Sequence, residues 1–84
     1  MMTKRVIKFE KQNCSPCEQV SKWLNERGIK YETINPYDTP KSAVKYRVRS
    51  VPTVLVYDGA EEVGRVVGFK PDELVKLLGK GNAT

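Results

Sequence analysis

Histidine is absent and cysteine occurs only twice, at Cys14 and Cys17. A zinc or iron–sulfur site takes about four such ligands, so one chain supplies half a set and only a dimer could complete it. Long apolar runs are lacking as well. None approaches the roughly 20 residues needed to cross a bilayer, and Met1 to Phe9 lacks the long apolar run followed by small residues that marks a secretory leader. Nor is there a basic run: the 15 Lys and Arg are scattered from Lys4 to Lys80 in ones and twos, without interleaved aromatics. That pattern argues against a nucleic-acid surface. The expectation is a cytoplasmic protein with neither membrane nor nucleic acid as partner.

What is present is an ordinary globular composition, with 39% hydrophobic and 30% charged residues in 84. That length holds one domain with a modest core. Residues 1–79 are expected to form it as a monomer, and 80–84 to be a frayed tail. The formal charge of +5 leaves an acidic protein partner open.

Val6, Ile7 and Phe9 read as a short buried strand. Ser15-Pro16-Cys17-Glu18 reads as a helix start, with Ser15 as N-cap, Pro16 at the first helical position and Glu18 closing a capping box. Cys17, Val20 and Leu24 then form an apolar stripe with Trp23 alongside, and Arg27-Gly28 ends the helix. A strand follows from Ile29 to Ile34. Asp38-Thr39-Pro40 opens a short helix carrying Ala43 and Val44, with no clear end around Arg47. Thr53 to Tyr57, a two-residue turn at Asp58-Gly59 and Glu61 to Val67 make a hairpin. Pro71-Asp72-Glu73 opens a last helix that ends at Gly79. The order is β-α-β-α-β-β-α. Both crossovers are expected to be right-handed and parallel, with helices on both faces of a four-stranded mixed sheet.

Two cysteines three apart at a helix start lie on one face, within disulfide reach. Just outside the helix, Cys14 meets unpaired backbone N–H groups and the positive end of the helix dipole, which favour a thiolate. Cys17, one turn in and on the apolar stripe, suits a resolving thiol. The pair therefore reads as a redox dithiol in which Cys14 attacks a substrate disulfide and Cys17 releases the product. A plain structural disulfide, a metal site in a dimer and a redox-inert binding module are the competing readings. The dithiol chemistry requires no cofactor.

A strand, Cys-x-x-Cys at the next helix start, and Ser50-Val51-Pro52-Thr53 before a hairpin together resemble the thioredoxin and glutaredoxin superfamily over nearly the whole chain. The resemblance implies an α/β thioredoxin fold of minimal, glutaredoxin-like size and a protein-disulfide reductase activity. It also implies a cis Pro52 facing the cysteines, and a substrate segment that pairs with the backbone around Val51 and Thr53. Phe9-Glu10-Lys11-Gln12-Asn13-Cys14 and Gly68-Phe69-Lys70-Pro71-Asp72 are similar to the NrdH-redoxins. That similarity implies electrons from thioredoxin reductase and ribonucleotide reductase as a target, with Lys11, Gly68 and Phe69 as candidates for the partner surface. A strand terminator and a core aromatic explain Gly68 and Phe69 as well. Val67-Gly68-Phe69 stands where glutathione-using glutaredoxins carry Gly-Gly and a following Asp, which disfavours glutathione. The middle pair Ser15-Pro16 departs from the Val-Gln common in NrdH-redoxins, leaving the natural target open.

Overall fold

A computed structural model describes residues 4–79; the stretch 80–84 expected as a tail lies outside them. The elements are β1 (Lys4–Phe9), α1 (Ser15–Glu26), β2 (Glu32–Ile34), α2 (Pro40–Tyr46), β3 (Thr53–Asp58), β4 (Glu61–Val67) and α3 (Pro71–Leu78). They build one four-stranded sheet in the order β2-β1-β3-β4.

Period-two alternation of side chains along the two central strands separates two cores. Val6, Val54, Val56 and Val66 pack with Val20, Trp23, Leu24 and Leu74, so α1 and α3 share one face. Ile7, Phe9 and Leu55 pack with Val48, beside Tyr46, Ile34 and Val51, so α2 and its exit cover the other. Each fully buried aliphatic such as Leu24 contributes about 1.5–3 kcal/mol relative to exposure. Helices thus cover both faces, as the element order implies.

The first crossover is parallel, β1 to β2, but β3 runs antiparallel to β1. This corrects the expectation of two parallel crossovers. The register gives the reason: Phe9 pairs with Ile34, where β2 ends, and also with Thr53, where β3 begins. The seven residues of α2 rise about 10 Å in total. The chain therefore crosses the sheet end instead of returning along a strand.

Four local readings shift. The N-cap of α1 is Cys14, not Ser15. β2 begins at Glu32, because Ile29 turns its N–H back to the Leu24 carbonyl and closes the end of α1. Thr39 caps α2 by position, while its hydroxyl donates to the Asn35 carbonyl instead of capping. The hairpin loop is Gly59-Ala60, since Asp58 still pairs with Glu61; Gly59 takes the φ of +64° that a tight turn asks of it. Val44 on α2 is 79% exposed, and the inward apolar contact there comes from Tyr46 and Val48 instead. The end of α2, unclear in sequence, lies at Arg47 in the left-handed region. Arg65 of β4 donates to the carbonyls of Tyr46 and Arg47 at 2.9 and 3.0 Å, a cation on the negative end of the helix.

Candidate active site

One end of the sheet collects the candidate residues. Phe9, Ile34, Thr53 and Val67 form a single row across the four strands. From that row the chain leaves Phe9 for Cys14, enters Thr53 from Val51-Pro52, and leaves Val67 for Gly68.

Asn13 makes the turn into the cysteines, with φ at +55°, a conformation asparagine tolerates better than most residues. Cys14 then caps α1, and its Sγ accepts a hydrogen bond from the Cys17 N–H at 3.2 Å. The two sulfurs are joined, with the Cα atoms 5.2 Å apart. Cys14 is 6% exposed and Cys17 2%. The structure thus holds the oxidised form of the pair, with the first sulfur against the open N–H end of a 12-residue helix. A thiolate in that place gains from both the hydrogen bond and the dipole.

The Val51–Pro52 peptide is cis, Pro52 is buried and Val51 half-buried. The Thr53 side chain is buried and donates its hydroxyl to the Ser50 carbonyl at 2.7 Å. It braces the loop that presents Val51. Gly68 donates its N–H to the Pro52 carbonyl at 2.8 Å, which ties the end of β4 to that loop. Phe69 packs on the α1/α3 core. Lys11 is exposed on the loop before the cysteines and lines a cleft together with Glu10, Cys17 and Ser21.

Two features of this region carry little signal in the sequence. The Lys8 side chain is fully buried, and its ammonium donates to Glu10 and Ser21. Asn13 supplies the left-handed turn; an asparagine directly before the cysteine was the available signal. Among the described residues, no group of three or more His, Cys, Asp or Glu could hold a metal ion, and no helix is long and apolar enough to cross a membrane.

The thioredoxin-domain family matches residues 2–79. The SPbeta prophage-derived thioredoxin-like protein YosR of Bacillus subtilis is 47% identical over 75 residues, covering 88% of this chain and 94% of that protein. A thioredoxin of Staphylococcus aureus is 32% identical over 83 residues, covering 90% of this chain and 80% of that protein. In fold, the chain superposes on Plasmodium falciparum thioredoxin with a TM-score of 0.80 at 20% identity, covering 95% of this chain and 72% of that one. The chain belongs to the thioredoxin family and is a thiol–disulfide oxidoreductase that carries its Cys-x-x-Cys pair at Cys14 and Cys17.

Proposed function

We propose that the protein is a cytoplasmic, monomeric electron carrier that reduces protein disulfides and is recharged by thioredoxin reductase. The observation that carries this reading is the Cys17 N–H directed at the Cys14 sulfur at the helix N-terminus. It supports Cys14 as the attacking sulfur. The Cys14 thiolate attacks one sulfur of a substrate disulfide, forming a mixed disulfide and releasing the other sulfur as a thiolate. Cys17 then gives up its proton and attacks Cys14. The Cys14–Cys17 bond forms and the second substrate sulfur leaves, so two electrons pass to the substrate. Reduction of the pair by two electrons from the reductase resets the cycle.

An extended substrate segment is proposed to lie along Val51, beside the buried Pro52, and to pair with its backbone. Thr53 holds that loop through Ser50, and Gly68 flanks it through the Pro52 carbonyl. Lys11, exposed beside the cleft that Cys17 lines, is placed to meet an acidic partner. Phe69 contributes from below, as part of the core beneath this surface. Ribonucleotide reductase is the proposed protein substrate, on the similarity of the segments 9–14 and 68–72 to NrdH-redoxins.

The test is NADPH oxidation in the presence of a protein disulfide, with electrons supplied by thioredoxin reductase in one arm and by glutathione with its reductase in the other. Turnover in the first arm is expected, and its rate with oxidised ribonucleotide reductase against a generic disulfide tests the target. Turnover with glutathione alone would instead make the protein a glutaredoxin in function.

A further inference from the structure

Lys8 occupies a place where an apolar side chain would cost less. It lies on β1 between Ile7 and Phe9, opposite Thr33 of β2 and Val54 of β3, and its side chain has no exposure. By alternation it shares the face of Val6, under α1. Burying an ammonium costs several kcal/mol that a partner only partly offsets, and replacing such ion pairs by apolar packing is often neutral or stabilising. Stability alone does not account for a cation there.

Its surroundings point to what it does. The ammonium donates to the Glu10 carboxylate and to the Ser21 hydroxyl, and lies 6.0 Å from the centre of the Tyr31 ring. Ser21 stands four residues after Cys17 on α1, so the two share one helix face a single turn apart. Cys17, Ser21 and Glu10 line the same cleft. Through Ser21 the cation is tied to the helix that carries the resolving cysteine, one turn further along it.

The charges around that cysteine do not cancel. Glu10 opposes Lys8, but its side chain is 36% exposed against 0% for Lys8, so water screens the carboxylate far more than the ammonium. The remaining charged groups of the cleft are exposed and screened: Lys11 on the loop, and Glu18, Lys22 and Glu26 on α1. Tyr31 approaches from the β2 side with its ring.

We infer that Lys8 is a positioning residue for the resolving step, its buried charge favouring the thiolate of Cys17. The inference rests on the proposed division of labour between the two cysteines. Burial of Cys17 alone would favour the thiol and slow its attack; the cation offsets this. In the mixed disulfide the Cys17 proton passes to water and the Cys17 thiolate attacks the Cys14 sulfur. The Cys14–Cys17 bond forms while the bond to the substrate sulfur breaks, and the substrate leaves as a thiolate.

Stopped-flow reaction of the reduced protein with excess 5,5′-dithiobis(2-nitrobenzoic acid) separates the steps. One coloured thiolate is released when Cys14 attacks and a second when Cys17 closes the disulfide. Loss of the second phase in Cys17→Ser identifies it; its persistence would overturn the underlying scheme and this inference with it. In Lys8→Met, checked for native fold by circular dichroism, the pH midpoint of the second phase should rise by about one unit while that of the first stays in place. In Glu10→Gln, which removes the opposing charge at a partly exposed position, the midpoint should fall. An unmoved or lowered midpoint in folded Lys8→Met overturns the inference. If Lys8→Met does not fold, Lys8→Gln, which keeps a donor for Glu10 and Ser21 and removes the charge, is read by the same measure: a raised midpoint supports the inference, and an unmoved or lowered one overturns it.

Discussion

The sulfur of Cys14 accepts a hydrogen bond from the backbone N–H of Cys17 at 3.2 Å, so the first cysteine caps the helix that carries the second. A Ser, Thr, Asp or Asn oxygen is the preferred acceptor in that place. Here sulfur takes that place, and on the proposed mechanism the capping contact stabilises the nucleophile.

The first prediction concerns that nucleophile. In the reduced protein the Cys14 thiolate keeps the Cys17 N–H and the helix N-terminus as partners. Its alkylation by iodoacetamide, followed against pH by mass spectrometry of the modified peptide, should show a midpoint below the ordinary thiol value of about 8.5. A midpoint at or above that value would mean that capping by sulfur does not activate it.

Thr53 allows a second prediction. Its hydroxyl is buried and donates to the Ser50 carbonyl. Thr53→Val keeps the shape and removes the donor, so unfolding in urea should show a loss of about 1 kcal/mol. Turnover should weaken through KM more than through kcat, because on the proposed reading the loop presents substrate and does no chemistry. Unchanged stability and unchanged KM would show that Ser50 and Thr53 do not brace the loop.

Arg65 carries a third. It donates to the Tyr46 and Arg47 carbonyls and to both carboxylate oxygens of Glu62. Arg65→Ala should cost about 1–2 kcal/mol, measured by urea unfolding, because charged hydrogen bonds at the end of α2 are lost.

The same clamp has a pH signature. The hydrogen bond from Arg65 holds the Glu62 carboxyl below the usual carboxylate range, with burial opposing and the charge of Arg65 adding to it. A depressed folded pKa means that the contribution is complete above the unfolded value of about 4.3 and disappears as pH falls through the lower folded one. The stability difference between the native protein and Glu62→Gln should therefore be present at pH 6 and smaller at pH 3. An equal difference at both would contradict the clamp.

Much of this was legible in the sequence, for identifiable reasons. The bounds of β4 and α3 follow from a hairpin turn before Glu61 with Gly68 after Val67, and from a proline with two acids in a first turn, and both elements lie where those signals put them. The cysteine pair announces itself by spacing and by the helix start beside it. The capping residue lies one position before the one the sequence suggests, because Ser15 and Glu18 form a plausible capping box of their own. The turn at Asn13 places Cys14, not Ser15, at the cap. The direction of β3 was not legible, since it depends on how far seven residues of α2 can carry the chain. Lys8 and Arg65 escaped for a common reason. Each is a polar residue in a strand whose meaning lies in partners on other elements: Ser21 of α1 for Lys8, and the end of α2 for Arg65.

The central claim is that Cys14 attacks and Cys17 resolves, and trapping tests it most directly. Reduced Cys17→Ser and Cys14→Ser proteins are each incubated with a disulfide-bonded protein substrate, and the covalent adducts are identified by mass spectrometry. A stable mixed disulfide on Cys14 is expected in Cys17→Ser, with little or none on Cys17 in Cys14→Ser. Equal adducts on the two variants, or an adduct only on Cys17, would contradict it.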